Sequence, residues 1–180
     1  VIFDVKCSRR LNGLISGYGG RPIMWKTGHS LIKAKMKETG ALLAGEMSGH
    51  IFFADRYYGF DDACYAGARL LEILSRTDKS LSDLLSGLPK TFSTDEIRIP
   101  SAEKYKFRVI DQIAEEFGKT NKVITIDGAR IQFDNGWGLV RASNTQAIIV
   151  CRFEADSEEN LIEIQKRLES RVKDLIKKSQ

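Results

Sequence analysis

The sequence predicts a two-part α/β protein: a mixed α/β three-layer domain, then a smaller α+β domain with an antiparallel sheet and helices on one face. Three observations predict it. From Val1 to about Ser86 short apolar strands alternate with helical stretches, the pattern of βαβ units around a largely parallel, buried sheet. Beyond Lys104, consecutive β segments lie between two helices, an order that favours an antiparallel sheet with helices packed on one face. Between these patterns Gly87-Leu88-Pro89 stops the chain, and the polar stretch Lys90 to Glu96 has the composition of a linker, so the expected domains are 1–90 and 91–180.

The elements follow in order. VIFDV, PIMW and ALLAGEM read as strands, separated by helical stretches at Arg10 to Ser16 and Leu31 to Glu38. Gly17-Tyr18-Gly19-Gly20 lacks the spacing of a dinucleotide fingerprint and reads as a turn. Asp61 or Asp62 can cap a further helix, in which Ala63, Ala66, Leu70, Leu71 and Leu74 recur at helical spacing, and Leu81 to Leu85 forms a short one. In the second domain a helix runs from about Lys104 to Phe117. Strands follow at Lys122 to Ile126, Ala129 to Phe133 and Ala147 to Glu154, then a helix from Ser157 to Lys177 capped by Asp156 or Ser157. Leu161, Ile164, Leu168, Val172 and Leu175 form one apolar stripe on that last helix, and its Lys/Arg-rich opposite face reads as solvated surface.

Composition narrows the function classes. With 180 residues, 42% of them hydrophobic and 29% charged, the chain can bury a core, which excludes fibre, collagen and wholesale disorder. No apolar run approaches the roughly 18 residues that span a bilayer, so no membrane partner is expected. The formal charge is +4 with both signs interspersed, which permits nucleic acid but hardly suggests it and suits an anionic small substrate equally well, and no nucleic-acid partner is expected. Cys7, Cys64 and Cys151 lie far apart, without a CxxC pair, so neither a disulfide framework nor a zinc site is expected and a reducing cytoplasm fits. VIFDVK opens abruptly as a strand without an initiator Met, which predicts a fragment.

Three segments can carry chemistry. Gly45-Glu46-Met47-Ser48-Gly49-His50 follows an apolar strand, where α/β folds place ligand loops. If extended, it turns Glu46, Ser48 and His50 to one side, offering a carboxylate, a hydroxyl and an imidazole to vicinal sugar hydroxyls; the plainer reading is a polar strand end with a glycine turn. Gly136 to Thr145 interrupts the β region. There Arg141 offers a planar fork of donors, and Ser143, Asn144 and Thr145 add short donors suited to a phosphate, or else close a hairpin with hydroxyls satisfying their own backbone. In Lys26-Thr27-Gly28-His29-Ser30, Ser30 is a plausible N-cap and His29 faces either solvent or a cleft. Lys6 and Arg9 are cleft cations or surface charges.

FDVKCSRRL, MWKTGHSLIK, LLAGEMSGHIFF, YGFDDACYAGARLLEIL and WGLVRASNT together resemble the C-terminal half of the α-D-phosphohexomutases, specifically the bacterial phosphomannomutase/phosphoglucomutase branch. The resemblance spans the chain and implies most of the family's third domain, lacking its opening helix, and all of its fourth. It implies an isomerase that interconverts hexose 1- and 6-phosphates of mannose or glucose through a phosphoserine and a bisphosphorylated intermediate. By similarity Glu46 and Ser48 would hold sugar hydroxyls, His50 would be a general acid/base candidate, and Lys6 and His29 would line the same cleft. Arg141, Ser143, Asn144 and Thr145 hold the phosphate that is not reacting. The family's S-H-N-P phosphoserine loop and D-G-D-x-D-R magnesium loop do not occur here. The resemblance therefore assigns both, with the Mg²⁺ cofactor, to missing N-terminal domains, and implies an inactive fragment. Asn144-Thr145-Gln146-Ala147 also lacks the proline the family usually carries two residues after the threonine. The competing classes are a non-catalytic sugar-phosphate-binding module and a nucleic-acid-binding α+β domain. The sequence leaves mannose and glucose preference open, since both sugars share the hydroxyls concerned.

Overall fold

A computed structural model describes residues 1–179. It divides into two compact units, Val1–Lys90 and a second from Thr91 onward.

The first unit runs β1 (Ile2–Asp4), α1 (Arg10–Gly17), β2 (Ile23–Trp25), α2 (His29–Thr39), β3 (Leu43–Gly45), β4 (Ile51–Phe53), β5 (Phe60–Asp61), α3 (Ala63–Leu74) and α4 (Leu81–Leu85). Its sheet has the order β2-β1-β3-β4-β5. β2 and β3 flank β1 in parallel, whereas β3–β4 and β4–β5 are antiparallel, so the sheet is mixed where a largely parallel one was expected. The difference arises at residues 46–50, where the chain reverses in a tight hairpin instead of continuing into a crossover. Ile2, Ala44 and Phe52 of the three central strands pack with Ile32 and Met36, one turn apart on α2, to form the core. Asp62, not Asp61, caps α3, accepting from Tyr65 N at 2.9 Å and from the Tyr57 hydroxyl at 2.5 Å. The Tyr57 bond, with the backbone donors, holds the Asp62 carboxyl below its usual range.

The second unit runs β6 (Phe92–Ser93), β7 (Ile97–Pro100), α5 (Glu103–Gly118), β8 (Val123–Ile124), β9 (Ala129–Phe133), β10 (Gly136–Ala142), β11 (Ile148–Ala155) and α6 (Glu158–Ser179). The strands pair antiparallel in the order β6-β11-β10-β9-β8, with β7 also on β11. Two expectations change. The presumed linker at Lys90 to Glu96 contains β6, and Thr94 ties it further to β11 by bonds to and from Phe153. The segment read as an interruption is largely β10, the central strand, entered by a two-residue turn from Phe133 to Gly136.

Two glycines disguise that strand in the sequence, and their reason is packing. A Cβ on Gly138 would stand 2.3 Å from a Leu168 methyl, and one on Gly136 2.7 Å from an Ile164 methyl, so α6 lies on β10 at a distance only glycine permits. Val109, Ile110, Ile113 and Phe117 of α5 and Ile164, Leu168, Val172 and Leu175 of α6 close the core over β9, β10 and β11. Ser157 caps α6, its hydroxyl accepting from Asn160 N at 3.2 Å.

Candidate functional site

In the first unit the candidate residues gather at the C-terminal ends of the parallel strands, where open α/β sheets bind ligands. Asp4, at the end of β1 and fully buried, organises them. Its Oδ1 accepts from Lys6 N at 3.2 Å, Met47 N at 3.3 Å and the Cys7 thiol at 3.1 Å; its Oδ2 accepts from the Thr27 hydroxyl at 3.1 Å. One carboxylate thus ties together the exits of β1, β2 and β3. The Lys6 ammonium, also buried, lies 3.9 Å from Asp4 Oδ2.

The 46–50 segment is not extended. Glu46 N donates to His50 O at 2.9 Å and Gly49 N to Glu46 O at 3.0 Å, with Gly49 at φ 93°. Glu46, Ser48 and His50 therefore do not form one row. Glu46 turns inward, buried, and its Oε1 accepts from Gly28 N at 2.6 Å, which joins the hairpin to the start of α2. That distance is typical of a strong charge-assisted bond. Ser48 stays exposed at the turn. His50 is exposed, and its Nδ1 lies 2.7 Å from Asp61 Oδ2 on β5. A carboxylate at Nδ1 fixes that nitrogen as the protonated one and leaves Nε2 as the acceptor. Gly28, not Ser30, stands at the N-cap of α2, which puts His29 in the first turn and exposed. Arg9 precedes α1 at its N-cap position.

In the second unit the Arg141–Thr145 segment is the end of β10 and the turn into β11. The Arg141 guanidinium reaches Asp127, with Nη2 3.3 Å from Oδ1 and 3.2 Å from Oδ2, while its Nε is buried without a hydrogen-bond partner. Gly128, at φ 87°, lets the turn carrying Asp127 press on this arginine: a Cβ there would stand 2.5 Å from Arg141 Cβ. The buried Ser143 hydroxyl accepts from Thr145 N at 3.3 Å and Gln146 N at 3.2 Å, so it shapes its own loop. Asn144 and Thr145 are exposed. Beneath the loop the Lys106 ammonium donates to Ser143 O at 2.5 Å and Gln146 O at 3.1 Å and pairs with Glu103 at 2.6 Å.

Asp4, Asp61, Lys106 and Asp127 were not singled out from the sequence as site residues, Asp61 being named only as an alternative helix cap. Two of them left a signal there: Asp4 interrupts an apolar strand, and Lys106 shares a helical stripe with Val109, Ile110, Ile113 and Phe117. Asp61 and Asp127 left none, because strand pairing and a turn bring them to their partners.

Comparison with known proteins accords with this architecture. Residues 1–92 match the family model described as phosphoglucomutase/phosphomannomutase, alpha/beta/alpha domain III, and residues 96–171 match that of the phosphoglucomutase/phosphomannomutase C-terminal domain. The chain belongs to the phosphoglucomutase/phosphomannomutase family. A phosphomannomutase/phosphoglucomutase of Pseudomonas aeruginosa is 59% identical over 163 residues, covering 89% of this chain and 35% of its own length. A phosphoglucomutase of Neisseria meningitidis is 53% identical over 173 residues, covering 94% and 37%. The crystal structure of a phosphoglucomutase/phosphomannomutase family protein from Burkholderia thailandensis superposes with a TM-score of 0.86 at 49% identity, covering 97% of this chain and 37% of that one. The chain therefore spans only 35–37% of the length of these relatives. Among the described residues no helix is long and apolar enough to cross a membrane.

Proposed function

We propose that the chain is the carboxy-terminal part of a cytoplasmic isomerase that interconverts hexose 1-phosphates and 6-phosphates of mannose or glucose, and that this part binds the substrate. The observation that carries the reading is the consecutive match of both units to the third and fourth domain models of one enzyme family. The geometry supports it from below. Glu46, fixed at Oε1 by Gly28 N–H, keeps Oε2 for sugar hydroxyls, and Ser48 adds a hydroxyl at the tip of the same turn. His50, with Asp61 on Nδ1, can take a proton at Nε2 from a hydroxyl that accepts a phosphoryl group and return it to one that loses it. Lys6 and His29 supply positive charge or donors at the same strand ends. Arg141, Ser143, Asn144 and Thr145 hold the phosphate that is not being transferred, a task that needs positioning and charge, not a nucleophile.

The serine that carries the phosphoryl group, and the bisphosphorylated intermediate's exchange with it, belong to the remaining domains. Magnesium would neutralise the transferring phosphoryl group. The residues present do not fit that ion as the family holds it, because the D-G-D-x-D-R magnesium loop does not occur in this sequence, and among the described residues no three or more His, Cys, Asp or Glu side chains converge on one point. We therefore assign the metal to the part of the protein outside this chain.

The test uses mannose 1-phosphate and glucose 1-phosphate with the full-length, phosphorylated protein and, separately, with the 180-residue chain. The expected result is turnover by the former, none by the latter, and binding of phosphate by both. A folded, phosphorylated full-length protein that binds the sugars but turns over neither would replace this reading with a sugar-phosphate-binding module.

A further inference from the structure

We infer that Lys106, buried beneath the second unit's loop, is the positioning residue that builds its anion site. The inference rests on the reading of that loop as a phosphate site.

Lys106 is 1% exposed, and it sits in the first turn of α5, where a cation opposes the helix dipole. A lysine in so unfavourable a place needs compensation, and it has three acceptors for its three protons: Ser143 O, Gln146 O and Glu103 Oε1. The two carbonyls stand at opposite ends of the loop, so one ammonium closes it as a staple.

Peptide planarity carries the consequence. No cis peptide bond occurs among the described residues, so each N–H points opposite to the carbonyl of the residue before it. Drawing Ser143 O and Gln146 O inward to Lys106 turns Asn144 N–H and Ala147 N–H away from the helix. Both residues are exposed, and neither amide donates to any group among the described residues. The Ser143 hydroxyl meanwhile takes the two amides between them, Thr145 N and Gln146 N. The loop thus divides its four consecutive amides: the inner two serve its own shape, and the outer two face solvent as anion donors. Lys106 has no proton left for a ligand. It acts through the peptide planes and through a fixed positive charge behind them.

The experiment is an NMR titration of the 180-residue chain with inorganic phosphate, following the Asn144 and Ala147 amides. Wild-type protein should show saturable shifts. Lys106→Met should keep a dispersed spectrum, lose at least about tenfold in affinity and leave these amides averaged. Lys104→Met, the same charge change two residues away at an exposed site, should stay within about twofold of wild type. A folded Lys106→Met that binds phosphate as wild type does overturns the inference and leaves the phosphate site standing. Wild-type protein that binds no phosphate removes the site itself. Should Lys106→Met fail to fold, the wild-type ammonium decides. Its protons should exchange slowly and show coupling across the hydrogen bond to the Ser143 carbonyl, and fast-exchanging protons overturn the inference.

Discussion

The two units solve the problem of holding a candidate ligand loop in opposite ways. In the first, built on strands of two or three residues, eight apolar residues are buried, five of them packed in one cluster, and Tyr58, Phe60, Leu71, Ile73 and Leu85 remain exposed. Its loops are tied by polar bonds to one buried carboxylate, Asp4. In the second, strands of up to eight residues and two long amphipathic helices enclose eighteen buried apolar residues, and the loop hangs from that core through Lys106. Apolar burial scales with area, so the second unit should draw more of its stability from its core than the first, where hydrogen bonds to Asp4 should weigh more.

The sharpest way to break this comparison is to separate the units. Residues 91–180 alone should unfold in one cooperative thermal transition, and residues 1–90 alone should melt without one. Equal, cooperative melting of both, followed by circular dichroism, would show that the small core suffices. Next in size is Asp4→Ala, which takes the acceptor from Met47 N and the Thr27 hydroxyl and leaves Lys6 without its buried carboxylate. The cost should be about 3–5 kcal/mol in urea unfolding of the first unit, with faster hydrogen exchange at Met47 and Gly28. Unchanged exchange at Gly28 would mean that Glu46 holds the hairpin without Asp4. In the second unit Gly138→Ala should cost roughly 1–3 kcal/mol by forcing Leu168 and Phe153 aside. A neutral result would show that α6 can lift from β10.

Most elements were legible because periodicity survives folding. α2, α3, α4, α5 and α6 lie where apolar spacing put them, and β1, β2, β3, β9 and β11 where apolar runs did. The losses have two physical causes. β4, β5, β6 and β7 are short segments defined by their partners, and β10 is a strand written with glycines because a helix crosses it closely. The candidate site was legible in composition but not in direction. Glu46, Ser48 and His50 do share a turn, yet the turn reverses and sends Glu46 inward to Gly28, which no alternation rule predicts. Asp61 and Asp127, the carboxylates that orient His50 and pair with Arg141, lie 11 and 14 residues from them in sequence, so only the pairing of strands reveals them.

The smallest effect compares one cysteine from each unit. Cys64, at the start of α3, is exposed, whereas Cys151 lies in the second unit's core, where burial pushes its thiol up to about 12. A thiol-reactive probe on native protein should therefore label Cys64 and spare Cys151, since the thiolate is the nucleophile. The same burial has a thermodynamic sign. Below about pH 9 the thiol is protonated in both states and adds no pH dependence. Between about pH 9 and about 12 the unfolded chain releases its proton while the folded one keeps it, so stability falls as pH rises. At about pH 10 the loss should be about 1.4 kcal/mol, read as the difference in pH slope between wild type and Cys151→Ala in urea unfolding of residues 91–180. Parallel slopes would mean that Cys151 meets solvent in the folded state, and that the second core is looser than its enclosed strands and helices imply.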